Sequence, residues 1–256
     1  MEKIEKLAEL WQKAKYPVIF TGAGISTASG IPDFRSKTGL WKQRPESLAT
    51  LNALYNMPGE FYFFYQWRLS KLWQIEPNLA HKVVAEQEKN GRVNLVITQN
   101  VDGLHQRAGS VKVSELHGTM YTVSCLACGA SFDSKIMAPP DKDFDKIKSE
   151  EYQPGPECFC QHCGANLRPD VVLFGEPLPE DNWQQSVQAA QKSDFMLVIG
   201  SSLLVGPANM LPVYTLRKGG KLAIINNDPT HLDSQADVVI NDDISKTLLQ
   251  VQKLLN

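Results

Sequence analysis

Four of the five cysteines in this 256-residue chain lie in two short motifs of the same spacing. Cys125 and Cys128 form one Cys-x-x-Cys-Gly motif, and Cys160 and Cys163 form the other. Two thiolates at this spacing can reach one ion from a tight turn, and the following glycine permits the turn. The motifs predict one zinc ion with four cysteine ligands. Because no coordination position stays open, we expect the ion to be structural.

The fifth cysteine leaves the choice of ligands open. Cys158 turns the second motif into Cys-x-Cys-x-x-Cys and could replace Cys160 as a ligand. We favour Cys160 because it repeats the spacing of the first pair. We expect His162, between the last two cysteines, to be a solvated loop residue.

A glycine-rich turn near the N-terminus has the composition of a phosphate-binding site. The apolar residues 18–20 predict a strand that is buried on both faces. Gly22-Ala23-Gly24 ends it, and residues 25–29 can begin a helix whose free N–H groups favour a pyrophosphate. An ordinary tight turn is the alternative. The motif also departs from the dehydrogenase fingerprint G-x-G-x-x-G, because Thr27 occupies the third glycine position.

Polar residues follow two further apolar runs. Residues 93–97 lead into Thr98-Gln99-Asn100-Val101-Asp102-Gly103-Leu104-His105, and residues 111–116 lead into His117-Gly118. Open α/β sheets bind ligands at the carboxyl ends of their strands. A histidine there suits a general base, since its pKa lies near working pH. A hydrogen-bonded histidine without a catalytic role is the alternative for His117.

The remaining apolar runs place these motifs in an alternating strand and helix pattern. Further strands are predicted over 195–199, 221–225 and 238–240, and helices over 1–15, 79–89, 180–192 and 244–254. The pattern favours an α/β fold, an open, doubly wound, Rossmann-like parallel sheet with a small inserted zinc-binding module.

The domain boundaries follow from changes in composition. We assign 1–118 and 167–256 to the dinucleotide-binding domain and 119–166 to the zinc module, where Pro139-Pro140 and the charged run 141–151 interrupt the pattern. Residues 36–60 lack periodicity and predict a long loop, either functional or a plain surface excursion. Residues 61–90 are predicted to be helical.

Composition excludes several classes of protein. Hydrophobic residues make up 43% of the chain, enough for a substantial core, and the net charge of −2 predicts no direct binding to nucleic acid. No apolar run is long enough to cross a membrane. The amphipathic N-terminus is unlike a signal peptide, so we expect a cytoplasmic protein in which disulfides do not form.

Taken together, the motifs resemble the sirtuins, which are NAD-dependent protein lysine deacylases of bacterial and other types. The family signature G-A-G-x-S-x-x-S-G-I-P-D-F-R is present from Gly22 to Arg35. The stretch from Thr98, the His117-Gly118 pair, residues 168–176 and Gly200-Ser201-Ser202-Leu203 follow in the family's order. The resemblance therefore covers nearly the whole chain.

The resemblance implies a reaction and a set of site residues. NAD and an acylated lysine of a protein or peptide would give nicotinamide, O-acyl-ADP-ribose and free lysine. His117 would be the general base, with Asn100 as a second catalytic residue. The residues expected to bind NAD are Gly22, Ala23, Gly24, Ser26, Asp33, Phe34, Arg35, Gln99, Asn100, Asp102, Gly200, Ser201, Ser202, Asn226 and Ile244.

The resemblance also implies how the acyl-lysine is bound. Val172, Phe174 and Gly175 would line its channel or pair with the substrate backbone as an added strand. Tyr65 and Arg68 reproduce the Tyr-x-x-Arg of the branch that removes succinyl and malonyl groups, and small Ala49 fits the same branch. Arg68 offers a planar fork for a distal carboxylate, and Tyr65 a hydroxyl donor. The alternative is that both pack structurally in an aromatic helix. Acetyl-lysine should also be accepted.

Three other functions stay open at this point. A dehydrogenase would use the same glycine turn but should carry an acidic residue about 20 residues further on. An ADP-ribosyltransferase or NAD glycohydrolase would share the chemistry at the ribose but needs no acyl-lysine channel. An NAD sensor without activity would need the pocket but not His117.

Overall fold

A computed structural model describes residues 1–138, 142–147 and 151–255 of the chain. The proline pair and part of the charged run lie outside these residues. The α-helices are α1 (Glu2–Lys13), α2 (Leu40–Gln43), α3 (Leu51–Asn56), α4 (Pro58–Leu72), α5 (Leu79–Lys89), α6 (Leu104–Ala108), α7 (Glu180–Lys192), α8 (Leu211–Arg217) and α9 (Ile244–Leu255). The strands are β1 (Pro17–Thr21), β2 (Leu95–Thr98), β3 (Val113–Glu115), β4 (Gly118–Cys125), β5 (Ser131–Asp133), β6 (Leu167–Val171), β7 (Phe195–Ile199), β8 (Lys221–Ile225) and β9 (Val238–Ile240).

The larger sheet is parallel and has the strand order β3-β2-β1-β7-β8-β9. All of its strand pairs run in the same direction, as expected for strands joined by helical crossovers. The order reverses between β1 and β7, where consecutive crossovers leave the sheet in opposite directions. This is the doubly wound arrangement that the sequence predicts, and the prediction is confirmed.

Helices cover both faces of this sheet. On one face α1, α5 and α9 contribute Leu7, Val84 and Leu248 to a core shared with Ile19 of β1. On the other face α7 and α8 contribute to a second core, which includes Phe20 of β1. Every residue of β1 is therefore buried, which explains why its sequence is a continuous apolar run rather than an alternating one.

A smaller antiparallel sheet, ordered β5-β4-β6, forms a second unit. Its strands reach from Gly118 to Val171, whereas the zinc module predicted from the sequence covers 119–166. Helix α4, assigned from sequence to the larger domain, packs in one core with this unit. The reason is its composition, because Phe61, Phe63 and Phe64 lie on different sides of the helix and all are buried. The helix therefore has to pack against other elements on all of its sides.

Two further segments differ from the sequence prediction. The stretch after the glycine turn is a short 3₁₀ helix, Ala23–Ser29, which ends at Gly30 in the left-handed conformation (φ 93°). The predicted loop 36–60 instead contains α2, α3 and the 3₁₀ helix Glu46–Ala49. Thr50 caps α3 by accepting a hydrogen bond from the Ala53 amide at 3.1 Å.

Within the described residues, no helix combines the length and the apolar character needed to cross a membrane. The cytoplasmic location stays a prediction from the N-terminal sequence.

Candidate active site

A cavity of 790 Å³ lies at the carboxyl ends of the parallel strands and extends to the smaller unit. This is the edge at which open α/β sheets bind ligands, on the side of the strand-order reversal. Most residues singled out from the sequence line it. They are Gly22, Ala23, Gly24, Asp33, Phe34, Arg35, Tyr65, Arg68, Gln99, Asn100, His117, Val172, Phe174, Gly175, Gly200, Ser201, Ser202, Asn226 and Ile244.

The glycine turn is held against the turn that follows β7. The Gly24 amide donates to the Gly200 carbonyl at 2.9 Å. A Cβ on Gly24 would lie 2.7 Å from the Gly200 Cα, and a Cβ on Gly22 would lie 2.8 Å from the Gly200 carbonyl oxygen. Both positions therefore require glycine because two backbones meet there. The same close packing leaves a wall of backbone, without side chains, toward the cavity.

His117 is oriented by a backbone hydrogen bond. Its Nδ1 lies 3.0 Å from the Gln99 carbonyl oxygen. A carbonyl only accepts, so Nδ1 carries the proton in the neutral ring and Nε2 is the acceptor. The Gln99 side chain is held in turn, because the Ser201 hydroxyl donates to its Oε1 at 2.9 Å. His117 lines the cavity, so its ring can accept a proton there.

Burial lowers the pKa of His117 below its ordinary value of 6.5. The hydrogen bond to Gln99 opposes this shift, and the positive charge of Arg35 adds to it. The imidazole is therefore neutral around pH 7 and available as a base. Arg35 itself is held by Glu46, with Nη2 and Oε1 3.0 Å apart.

Two predicted NAD-binding residues lie behind the cavity rather than in its lining. Ser26 is fully buried, and its hydroxyl donates to Asp102 Oδ2 at 2.6 Å. Asn100 Nδ2 donates to the Ser26 hydroxyl at 3.1 Å. In this structure the Ser26 hydroxyl is bound to Asp102, and the contact of Ser26 with a pyrophosphate stays a prediction. Of the three side chains, that of Asn100 reaches the cavity.

The carboxyl group of Asp102 is itself buried, at 6% exposure. Burial raises its pKa, while the hydrogen bonds from Ser26 and the Leu104 amide and the positive charge of Arg68 act in the opposite direction. Asp102 thus fixes Ser26 and, through it, the amide of Asn100.

Two buried histidines extend this polar network. His105 Nε2 lies 3.0 Å from the Thr21 hydroxyl, and His81 Nε2 lies 3.4 Å from the Ser26 hydroxyl. Their rings are 5.0 Å apart. Burial lowers the pKa of His81 to about 4 and that of His105 to about 3, so both are neutral at pH 7. Neither lines the cavity.

Tyr65 and Arg68 lie together on α4, at the part of the cavity lined by the smaller unit. The Arg68 guanidinium lies 5.4 Å from the Phe64 ring centre and 5.9 Å from that of Phe34. Burial lowers its pKa. Arg35, Arg107 and Arg168 each form an ion pair with a carboxylate within 3.0 Å. Among the described residues, Arg68 forms no such ion pair. Arg68 interacts electrostatically with Asp102, and its guanidinium also lines the cavity, where it can bind an anionic group.

Tyr65 is 1% exposed, and burial raises the pKa of its phenol to about 12. The phenol is therefore protonated and can donate a hydrogen bond. The pair shares one helix face, as the i, i+3 spacing predicts.

The cysteine cluster fits a structural zinc ion. The Sγ atoms of Cys125, Cys128, Cys160 and Cys163 lie within 4.8 Å of one another. Tetrahedral ligands about 2.3 Å from zinc lie roughly 3.8 Å apart, close to the 3.4 Å between Cys125 and Cys163 and the 3.7 Å between Cys128 and Cys160. Cys158 is fully buried but outside this cluster, which favours Cys160 as the ligand.

Comparison with known proteins identifies the family. A model of the Sir2 family matches residues 22–207. The NAD-dependent protein deacetylase 1 of Geobacillus kaustophilus is 48% identical over 230 residues, covering 89% of this chain and 88% of that protein. The NAD-dependent protein deacylase of Thermococcus kodakarensis is 42% identical over 234 residues, covering 91% and 88%.

The chain belongs to the Sir2 family.

A solved Sir2 structure supports the same assignment in three dimensions. It is described as "Sir2-p53 peptide-NAD+", is 38% identical, and covers 98% of this chain and 97% of its own, with a TM-score of 0.84. The resemblance to the sirtuins, which are the Sir2 family, is therefore confirmed. The Rossmann-like fold with a four-cysteine module is confirmed with it.

Sequence reasoning missed part of this Sir2 site. Trp41 and Glu176 line the cavity although no role was expected for either. His105 was noticed only as the last residue of a motif, yet it anchors the buried network. Periodicity carries no signal for such residues, because their roles depend on partners far away in the chain. The motif from residue 168 to 176 was the one available signal for Glu176.

The zinc assignment predicts different outcomes for two neighbouring cysteines. Cys160→Ala should lose the metal and lower the melting temperature, because structural zinc contributes directly to folding. Cys158→Ala, the matched control, should keep one zinc per chain, as the four remaining thiols still surround a single ion. Atomic absorption and thermal melting measure both variants. Loss of zinc from Cys158→Ala with retention in Cys160→Ala would contradict the ligand set.

Proposed function

We propose that the cavity binds NAD beside an acylated lysine, and that His117 is the base that drives transfer of the acyl group. The observation that carries the proposal is the neutral, oriented imidazole of His117, which lines the same cavity as the paired glycine turns. Membership of the Sir2 family makes the chain an enzyme, an NAD-dependent protein deacylase.

The reaction needs two substrates in one cavity. NAD supplies an electrophilic ribose carbon once nicotinamide leaves, and the acyl oxygen of the lysine attacks it. The base then has to remove a proton from a ribose hydroxyl. His117 fits this step, because its Nε2 is free to accept while Nδ1 is bound to Gln99.

The residues near His117 can bind and orient NAD. The backbone around Gly22, Gly24 and Gly200 would hold the pyrophosphate, with Ser201 and Ser202 beside it. Asn100, whose amide is fixed by Ser26, would bind the nicotinamide or its ribose. Asp33, Phe34, Arg35 and Gln99 would cover the reacting end. At the other end, Asn226 and Ile244 would border the adenosine, and Asp102 would act through Ser26 rather than by contact.

The acyl-lysine would enter along the opposite wall. Val172, Phe174 and Gly175 line this part of the cavity. Phe174 is 42% exposed, which puts this segment at the surface, where an extended peptide would pair with backbone groups other than the amide already bound to Ala49. The peptide-bound Sir2 structure supports a peptide substrate for that protein, and by likeness for this one. A dehydrogenase, a glycohydrolase or a sensor would not need this wall.

The acyl group itself would end at Tyr65 and Arg68. Arg68 is partly buried and interacts electrostatically with Asp102, but it forms no direct ion pair among the described residues, and a succinyl or malonyl carboxylate would supply a direct partner. The same end is lined by Phe34, Tyr65 and Ala49, so an acetyl group can also be accommodated. We therefore propose activity on acidic acyl groups in addition to acetyl groups.

His117→Ala should reduce deacylation of an acylated peptide by about 10²- to 10⁴-fold, the usual contribution of a general base, while NAD still binds. Peptide turnover, followed by mass spectrometry, and calorimetric titration with NAD measure the two properties.

In the wild type, the rate of deacylation should fall on the acid side with a midpoint below pH 6.5, because the lowered pKa of His117 keeps its ring neutral to more acidic pH. A variant that retains most of the activity would exclude His117 as the base.

Arg68→Ala should reduce turnover of a succinylated peptide by about 10- to 150-fold and spare the acetylated peptide, since a hydrogen bond to a charged group contributes about 1.5–3 kcal/mol. Tyr65→Phe is the matched variant on the same helix face. It removes one hydroxyl donor but keeps the positive charge and the two-pronged donor of Arg68, so it should cost succinyl turnover less than Arg68→Ala. The ratio of kcat/KM for the two peptides is the quantity to measure.

Equal losses on both peptides in Arg68→Ala, or no desuccinylation by the wild type, would show that Arg68 only packs against its aromatic neighbours.

A further inference from the structure

The cavity wall formed by residues 171–176 is held by an ion pair that no role yet accounts for. Two backbone contacts fix its first part: the Val172 amide donates to the His117 carbonyl at 2.8 Å, and the Phe174 amide donates to the Ala49 carbonyl at 2.9 Å. Beyond Phe174 the segment turns at Gly175, whose φ is 98°. Leu173 packs in the core of the smaller unit, whereas the Phe174 side chain beside it is exposed.

Arg168 and Glu176 close the turn with a two-pronged contact. Arg168 Nη1 lies 2.7 Å from Glu176 Oε1, and Nη2 lies 2.8 Å from Oε2. Both side chains are largely covered, at 15% and 22% exposure. A bidentate pair of this kind fixes direction as well as distance, which a lysine could not do with a single ammonium group.

The same two side chains also bind the backbone that precedes the turn. Glu176 Oε2 accepts from the Leu173 amide at 2.8 Å, and Arg168 Nη2 donates to the Val171 carbonyl at 2.6 Å. The Glu176 amide also donates to the Leu173 carbonyl at 3.0 Å. Arg168 lies on β6 of the small sheet, so the ion pair ties the turn to a rigid element.

We propose that Arg168, through Glu176, is a positioning residue for the acyl-lysine peptide. It holds residues 172–175 and the turn at Gly175 in the position where they would line the acyl channel and pair with the substrate. The inference rests on the proposed function, because it concerns how that substrate is bound. Arg168 itself does not line the cavity, so the inference assigns a role in substrate binding to a residue outside the cavity lining.

The arrangement also separates peptide binding from NAD binding. The NAD-binding residues lie on turns of the larger sheet, whereas Arg168 and Glu176 hold only the wall next to β6. Loss of the ion pair should therefore affect peptide binding alone.

Glu176 also neutralises the charge of Arg168 near Tyr65, where the two charges shift the pKa of the phenol in opposite directions. Arg68, which interacts electrostatically with Asp102 but lines the cavity, is then the cation available at the acyl end.

Steady-state kinetics on the zinc-loaded enzyme test this inference. Arg168→Met and Glu176→Gln should each raise the KM for an acetylated peptide by about 10- to 100-fold, the range expected when substrate is misplaced by about an ångström. The KM for NAD should stay at the wild-type value. The double variant should be no worse than the more impaired single variant, because the two residues act as one unit.

Lys221→Met is the matched control. It breaks the exposed Lys221–Asp237 ion pair at the start of β8, at the opposite end of the sheet from the cavity. It should change neither KM. Arg168→Lys keeps the charge but not the fork, and should resemble Arg168→Met rather than the wild type.

An unchanged peptide KM in Arg168→Met or Glu176→Gln would overturn the inference. So would equal rises in both KM values together with zinc loss and a lower melting temperature, since these would indicate only a structural role for the pair. Failure of the proposed function would look different, because the wild type itself would then not deacylate the peptide.

Discussion

The contact between the backbones of the turns after β1 and β7 is the constraint on which the cavity depends. These two strands are neighbours at the point where the strand order reverses, so their helical connections leave the sheet in opposite directions and open a crevice. The Gly24 amide bonds to the Gly200 carbonyl across this point, at a separation that excludes any side chain. The glycines are thus needed first for the close approach of two turns. A smooth surface of backbone toward a ligand is the consequence.

The side chains of His117 and Asn100 are oriented by hydrogen bonds to residues that lie behind the cavity surface. His117 is bound to the Gln99 carbonyl, and Asn100 is bound to Ser26, which is bound to Asp102. The links from Asn100 to Ser26 and from Ser26 to Asp102 are buried, and that of His117 is partly buried, so these side chains are held close to a single geometry, as preorganised sites require. The zinc-binding unit contributes the opposite wall, so the four-cysteine cluster supports the site by holding β4 and β6 rather than by contact with substrate.

Much of the larger domain could be predicted from the sequence. Strands such as Phe195–Ile199 are continuous apolar runs that end in glycine or a polar residue, and burial between two helical layers demands that pattern. The small sheet was not predicted. Its strand Gly118–Cys125 is only partly buried, so its apolar residues do not form a clear run. The helices in 36–60 were missed because tertiary packing, rather than local propensity, stabilises such short segments. The direction of the Ser26 hydroxyl depends on Asp102, and no local pattern reveals such a partner.

The central claim is that one cavity joins NAD to an acylated lysine. The most direct test measures nicotinamide release from NAD by chromatography, in reactions with and without an acetylated lysine peptide. The account predicts that nicotinamide appears in step with free lysine peptide and O-acetyl-ADP-ribose, and only when the acylated peptide is present. Nicotinamide release at the same rate with an unmodified peptide would contradict it and indicate a glycohydrolase instead.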